Sequence, residues 1–99
     1  MTVGMKKIRE SVADAAESYG VERVYLFGSY ARGSANIDSD IDLRIDKGRL
    51  RGFFQLAGFQ LDVQEKLGVK VDVLTTQSMD ETFLQNIRSE EVILYDRGN

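Results

Sequence analysis

The sequence predicts an α/β (α+β) fold, a small mixed sheet with helices packed largely on one face. Three observations point there. Apolar residues recur at spacings of three and four over residues 5–19, polar and apolar residues alternate strictly over 40–45, and short β-favouring runs return at 21–27, 69–74 and 91–95 between helical stretches. The order is αβαβαβαβ, and 99 residues with no proline, repeat or Ser/Gly-rich linker read as one domain spanning 1–99.

In the first helix Met5, Ile8, Val12, Ala15, Ala16 and Tyr19 form one buried stripe, and Gly20 follows as a left-handed stop. The strand over 21–27 ends at Gly28-Ser29, residues 30–33 open a short helix, and 34–39 form a polar loop. In the next strand Ile41, Leu43 and Ile45 face one side of the sheet while Asp40, Asp42 and Arg44 face the other. Residues 50–67 are helical and stop at Gly68. In the strand over 69–74, Val71 and Val73 face the core and Asp72 faces away. Ser78-Met79-Asp80-Glu81 has the spacing of a capping box, followed by a stripe of Met79, Phe83 and Ile87. A last strand covers 91–95.

Composition narrows the chemistry. An apolar share of 42% is that of a globular chain. The chain has no cysteine and no histidine, which excludes thiol nucleophiles, disulfides, thiolate zinc sites and Ser-His pairs and leaves acid-base work to carboxylates. No apolar run approaches the roughly 20 residues of a membrane span, and no signal peptide opens the chain, so a cytoplasmic location without membrane attachment is expected. A net charge of −3 argues against an extended nucleic-acid-binding surface. The basic tract Arg44, Lys47, Arg49 and Arg51 reads as a solvated loop.

Asp40 and Asp42 point the same way from one strand, and Asp72 joins them if its strand pairs alongside. Three bare carboxylates at close range repel one another, a penalty that a divalent cation removes. Oxygen ligands alone suit Mg²⁺ or Mn²⁺, and two such ions would clamp the attacking and leaving oxygens of a displacement at phosphorus. Asp40 and Asp42 would bridge the ions, and Asp72 would hold the one nearest the nucleophile and accept its proton. Gly28 permits close approach of the backbone to a triphosphate, Ser29 offers a hydroxyl, and Arg32 lies one turn on, read either as a phosphate ligand or as half of a surface ion pair. Gly28 to Ser34 is not a P-loop, because Ser34 stands where lysine is required.

At these residues the chain resembles the minimal nucleotidyltransferases of the DNA polymerase β superfamily. Gly28-Ser29-Tyr30-Ala31-Arg32-Gly33 and Ser39-Asp40-Ile41-Asp42-Leu43 are similar to that family's G-S-x-A-R-G and S-D-I-D-L signatures at their usual spacing, Asp72 maps onto its third acid, and Leu94-Tyr95 matches its close. The resemblance implies a polymerase-β-like nucleotidyltransferase fold and ATP as substrate. It further implies a partner HEPN-domain toxin, onto a tyrosine hydroxyl of which AMP is transferred, with this chain as the antitoxin. Two other functions stay open: a catalytically dormant antitoxin that neutralises by binding, and a transferase acting on a small molecule or RNA end.

One element leaves its partner undecided. The helix over 50–67 carries one apolar stripe of Leu50, Phe53, Phe54, Ala57 and Leu61 and a second of Leu56, Phe59, Val63 and Leu67 on nearly the opposite side. The second stripe is read either as a docking face for another protein or another copy, or as a face covered by the helix over 5–19.

Overall fold

Helix α1, Met5–Tyr19, buries Ile8, Val12, Ala15 and Ala16 along one side and stops at Gly20, whose φ of 70° is the left-handed conformation that a side chain resists. The turn is tight enough that a Cβ on Gly20 would press against Arg49. The chain then enters β1, Arg23–Phe27, followed by the one-turn helix α2, Ser29–Arg32, and by β2, Ile41–Asp46. Helix α3, Gly52–Leu67, leads to β3, Val71–Thr75, and a 3₁₀ turn at Thr76–Ser78 precedes α4, Glu81–Arg88, and β4, Val92–Asp96. The structure, a computed structural model, describes residues 2–98.

The four strands form one mixed sheet in the order β3-β2-β1-β4. β1 pairs antiparallel with both β2 and β4, and β2 pairs parallel with β3. Because α3 connects the parallel pair, it must cross a face of the sheet, and it packs there beside α1. The core lies between these two helices and the sheet. Val24 and Leu26 of β1, Ile41, Leu43 and Ile45 of β2, and Val71 of β3 supply the sheet side and are fully buried. Alternation along β2 therefore behaves as its sequence requires, with the three apolar residues turned to the helices.

One reading left open is decided in favour of cover by α1, and two expectations are corrected. The stripe of Leu56, Phe59, Val63 and Leu67 is not a docking face: Phe59, Val63 and Leu67 are buried in the core, Leu56 packs against it, and the Phe59 ring meets Tyr19 of α1 edge-on at 6.2 Å. The outward stripe is the other one, with Phe53, Phe54 and Leu61 exposed while Leu50 stays buried. Helix α4 is not capped by Ser78, whose hydroxyl donates to the Thr75 carbonyl; Asp80 caps it, accepting from the Phe83 amide at 2.8 Å. A carboxylate at the N-cap satisfies an orphan amide and meets the positive end of the helix, so Asp80 serves at least as well as a serine two residues earlier.

The other correction concerns Arg44, which does not belong to a solvated basic loop. It is only 5% exposed, its guanidinium donates to Glu91 at 2.6 and 2.9 Å and to Thr76 at 2.8 Å, and it lies 4.0 Å over the Tyr25 ring. The hydrogen bonds that Arg44 donates to Glu91 raise its pKa above its already high ordinary value. This pair ties the start of β4 to the middle of β2 on the sheet face away from α1 and α3.

Candidate active site

The parallel pairing of β2 and β3 decides where the acids meet. Asp42 is the register partner of Asp72, so both side chains leave the same face of adjacent strands, roughly 4.8 Å apart at the backbone. On the other flank Asp42 is the register partner of Phe27, which places Gly28, the next residue, against its carboxylate. Gly28 has φ 77° and ψ −157°, a combination open to glycine alone, and a Cβ there would collide with Asp42 Oδ2. The aspartate and the missing side chain are thus two halves of one fit.

Asp40 precedes β2 by one residue and remains close enough to bear on Asp42. Burial raises the pKa of the Asp42 carboxyl above its ordinary value, the neighbouring charges of Asp72 and Asp40 raise it further, and Arg32 opposes them. The three acids therefore share one electrostatic environment. They do not close around a single point: among the described residues no group of three such side chains stands near enough to hold an ion, and Asp40 lies 3.6 Å from Lys70 Nζ in an exposed ion pair. The donor set is nonetheless of the right kind. It is all oxygen, anionic, and held in mutual repulsion that a hard divalent cation would relieve.

The other half of the site is the turn from β1 into α2. Ser29 opens α2 and is partly exposed, so its hydroxyl can donate to a ligand. Arg32 projects one turn later, with its side chain half-exposed. Tyr30 between them is buried and its hydroxyl accepts from the Val3 amide at 3.3 Å, anchoring the short helix to the N-terminal segment.

One residue here was not singled out from the sequence. Glu90, in the link from α4 to β4, accepts from the Gly28 amide at 2.8 Å and from Arg32 Nη1 at 3.1 Å, and it adds to the negative field that raises Asp42. Its partner lies 62 positions away in sequence, and a Ser-Glu-Glu turn carries no local signal for such a contact.

Comparison with known proteins identifies the family and the fold. The model of the family described as Polymerase beta, Nucleotidyltransferase matches residues 8–99. A protein of Methanocaldococcus jannaschii assigned as a protein adenylyltransferase is 31% identical over 90 residues, 91% of this chain and 97% of its own. A solved structure assigned as a minimal nucleotidyltransferase superposes with a TM-score of 0.79 at 31% identity, covering 89% of this chain and 90% of that one. A structure of the tri-AMPylated Shewanella oneidensis HEPN toxin in complex with its MNT antitoxin aligns with a TM-score of 0.73 over 96% of this chain and 75% of that chain, and its 15% identity speaks for the fold alone. The chain belongs to the polymerase beta nucleotidyltransferase family, among the minimal nucleotidyltransferases.

Proposed function

We propose that residues 1–99 form one minimal nucleotidyltransferase domain that transfers AMP from ATP to a hydroxyl, in our reading a tyrosine, of a partner HEPN-family toxin, and so acts as an antitoxin. The observation that carries the catalytic part is the register of Asp42 against Asp72 beside the glycine whose missing side chain Asp42 fills. The partner and the acceptor rest on likeness: the Methanocaldococcus relative is assigned as a protein adenylyltransferase, and the Shewanella structure is named for an AMPylated HEPN toxin bound to an antitoxin of this fold.

In this reading Gly28, Ser29 and Arg32 bind the polyphosphate, the first by close approach, the second through its hydroxyl and the third by charge. Asp40, Asp42 and Asp72 would hold Mg²⁺ or Mn²⁺, in our reading two ions, which when bound neutralise the triphosphate and polarise the phosphorus under attack. The acceptor oxygen forms its bond to the α-phosphorus, the bond to the β-phosphate oxygen breaks, and pyrophosphate leaves. Asp72, at the edge of the acid group, takes the proton released by the hydroxyl. A cytoplasmic location follows from this role. Among the described residues no helix is long and apolar enough to cross a membrane.

The test is incubation with labelled ATP, Mg²⁺ and the protein encoded beside it, followed by location of the label and the intact mass of each chain. Mass gains of whole adenylyl groups on the partner are expected, and an Asp40→Ala, Asp42→Ala double variant should lose them to background while keeping its circular dichroism spectrum. Transfer retained by that variant would reject the metal assignment. Label on neither chain, with the partner's activity still blocked, would favour neutralisation by contact alone.

A further inference from the structure

We propose that Glu90 is a built-in anionic occupant of the polyphosphate seat, which the incoming triphosphate must displace; this rests on the reading of Gly28, Ser29 and Arg32 given above. Its carboxylate already engages two of the three residues assigned to phosphate, accepting from the Gly28 amide at 2.8 Å and from Arg32 Nη1 at 3.1 and 3.3 Å. A carboxylate on a main-chain amide and a guanidinium presents the charge and acceptor geometry that a phosphate oxygen would present there.

The contact is built to open. Glu91, the next residue, is fixed by its buried pair with Arg44, so the backbone of the α4 to β4 link is anchored independently of Glu90. Release therefore needs only rotation of one side chain, which is 23% exposed and already borders water. The setting also favours release, because the Asp42 and Glu90 carboxylates repel one another. No second anion can take the Gly28 amide while Glu90 remains on it.

The consequence is an affinity set by competition. A site open only a fraction of the time binds its ligand more weakly by that fraction. Removing the charge of Glu90 should therefore tighten binding of a triphosphate and leave binding of an uncharged nucleoside as it was. Glu90→Gln is the informative change, because the amide oxygen still accepts from Gly28 while the charge on Arg32 is freed.

The experiment is calorimetric titration of wild type, Glu90→Gln and Glu90→Ala with the magnesium complex of a non-hydrolysable ATP analogue and, separately, with adenosine, alongside thermal unfolding of each protein. Both variants are expected to bind the analogue roughly tenfold more tightly than wild type, with adenosine unchanged. Analogue affinity unchanged or weakened in a folded Glu90→Gln protein overturns the proposal and makes Glu90 a strut of the turn. Failure of all three proteins to bind the analogue overturns the phosphate reading of the turn, and this inference with it.

Discussion

Asp42 is the residue on which the site's electrostatics concentrate. Its carboxyl is held above the ordinary value of 3.8 by burial first and by Asp72 and Asp40 next. Between 3.8 and the raised value the folded protein keeps a proton that the unfolded chain has lost, so stability falls as pH rises through that window, and above it an ionised Asp42 weighs fully against folding. Asp42→Asn is accordingly expected to melt higher than wild type at pH 7 without divalent ions, with the gap closing as pH drops toward 3.8. Thermal unfolding at a series of pH values checks this, and a gap independent of pH would contradict it. Gly28→Ala should act in the opposite direction. It forces a side chain into φ 77° and against Asp42 Oδ2, for a loss of about 1–3 kcal/mol by urea denaturation. Asp40 and Asp42 could be picked out in the sequence because alternation alone assigns a face. Glu90 was not, since nothing near it in the chain marks its contact with Gly28.

At the level of elements, the buried Arg44 and Glu91 pair fastens β4 to β2. Glu91→Ala leaves a guanidinium buried without its partner and is predicted to lower stability by about 3–5 kcal/mol in denaturant unfolding. The two stripes of α3 give a paired test. Phe59→Ala empties core volume next to Tyr19 and should cost about 3–5 kcal/mol, whereas Phe53→Ala on the exposed side should stay within about 0.5 kcal/mol. Similar losses at both positions would mean that the outer face is covered. Helix positions, the glycine stops and the order of elements could all be read from periodicity. Which stripe of α3 faces inward could not, because a helix apolar on two sides is oriented by where α1 packs, a contact between segments distant in the chain. The cap of α4 was misplaced for a related reason: Ser78 and Asp80 are both competent caps, and the 3₁₀ turn over Thr76–Ser78 decides between them.

For the molecule as a whole, the sheet order β3-β2-β1-β4 places the acid-bearing strands side by side and sets the glycine turn of β1 next to them. Sequence alone supplied the three acids and the turn as candidates; that Asp72 stands beside Asp42 depended on a parallel pairing that only the fold provides. The central claim is that Asp40, Asp42 and Asp72 hold divalent cations against a polyphosphate gripped at Gly28 and Ser29. The most direct measurement is titration of Mn²⁺, followed by electron paramagnetic resonance, into the protein saturated with a non-hydrolysable ATP analogue, for wild type and for an Asp42→Asn, Asp72→Asn double variant. The account predicts protein-dependent loss of the free Mn²⁺ signal with wild type, and no more than the nucleotide itself removes with the variant. Equal Mn²⁺ uptake by both proteins would contradict it.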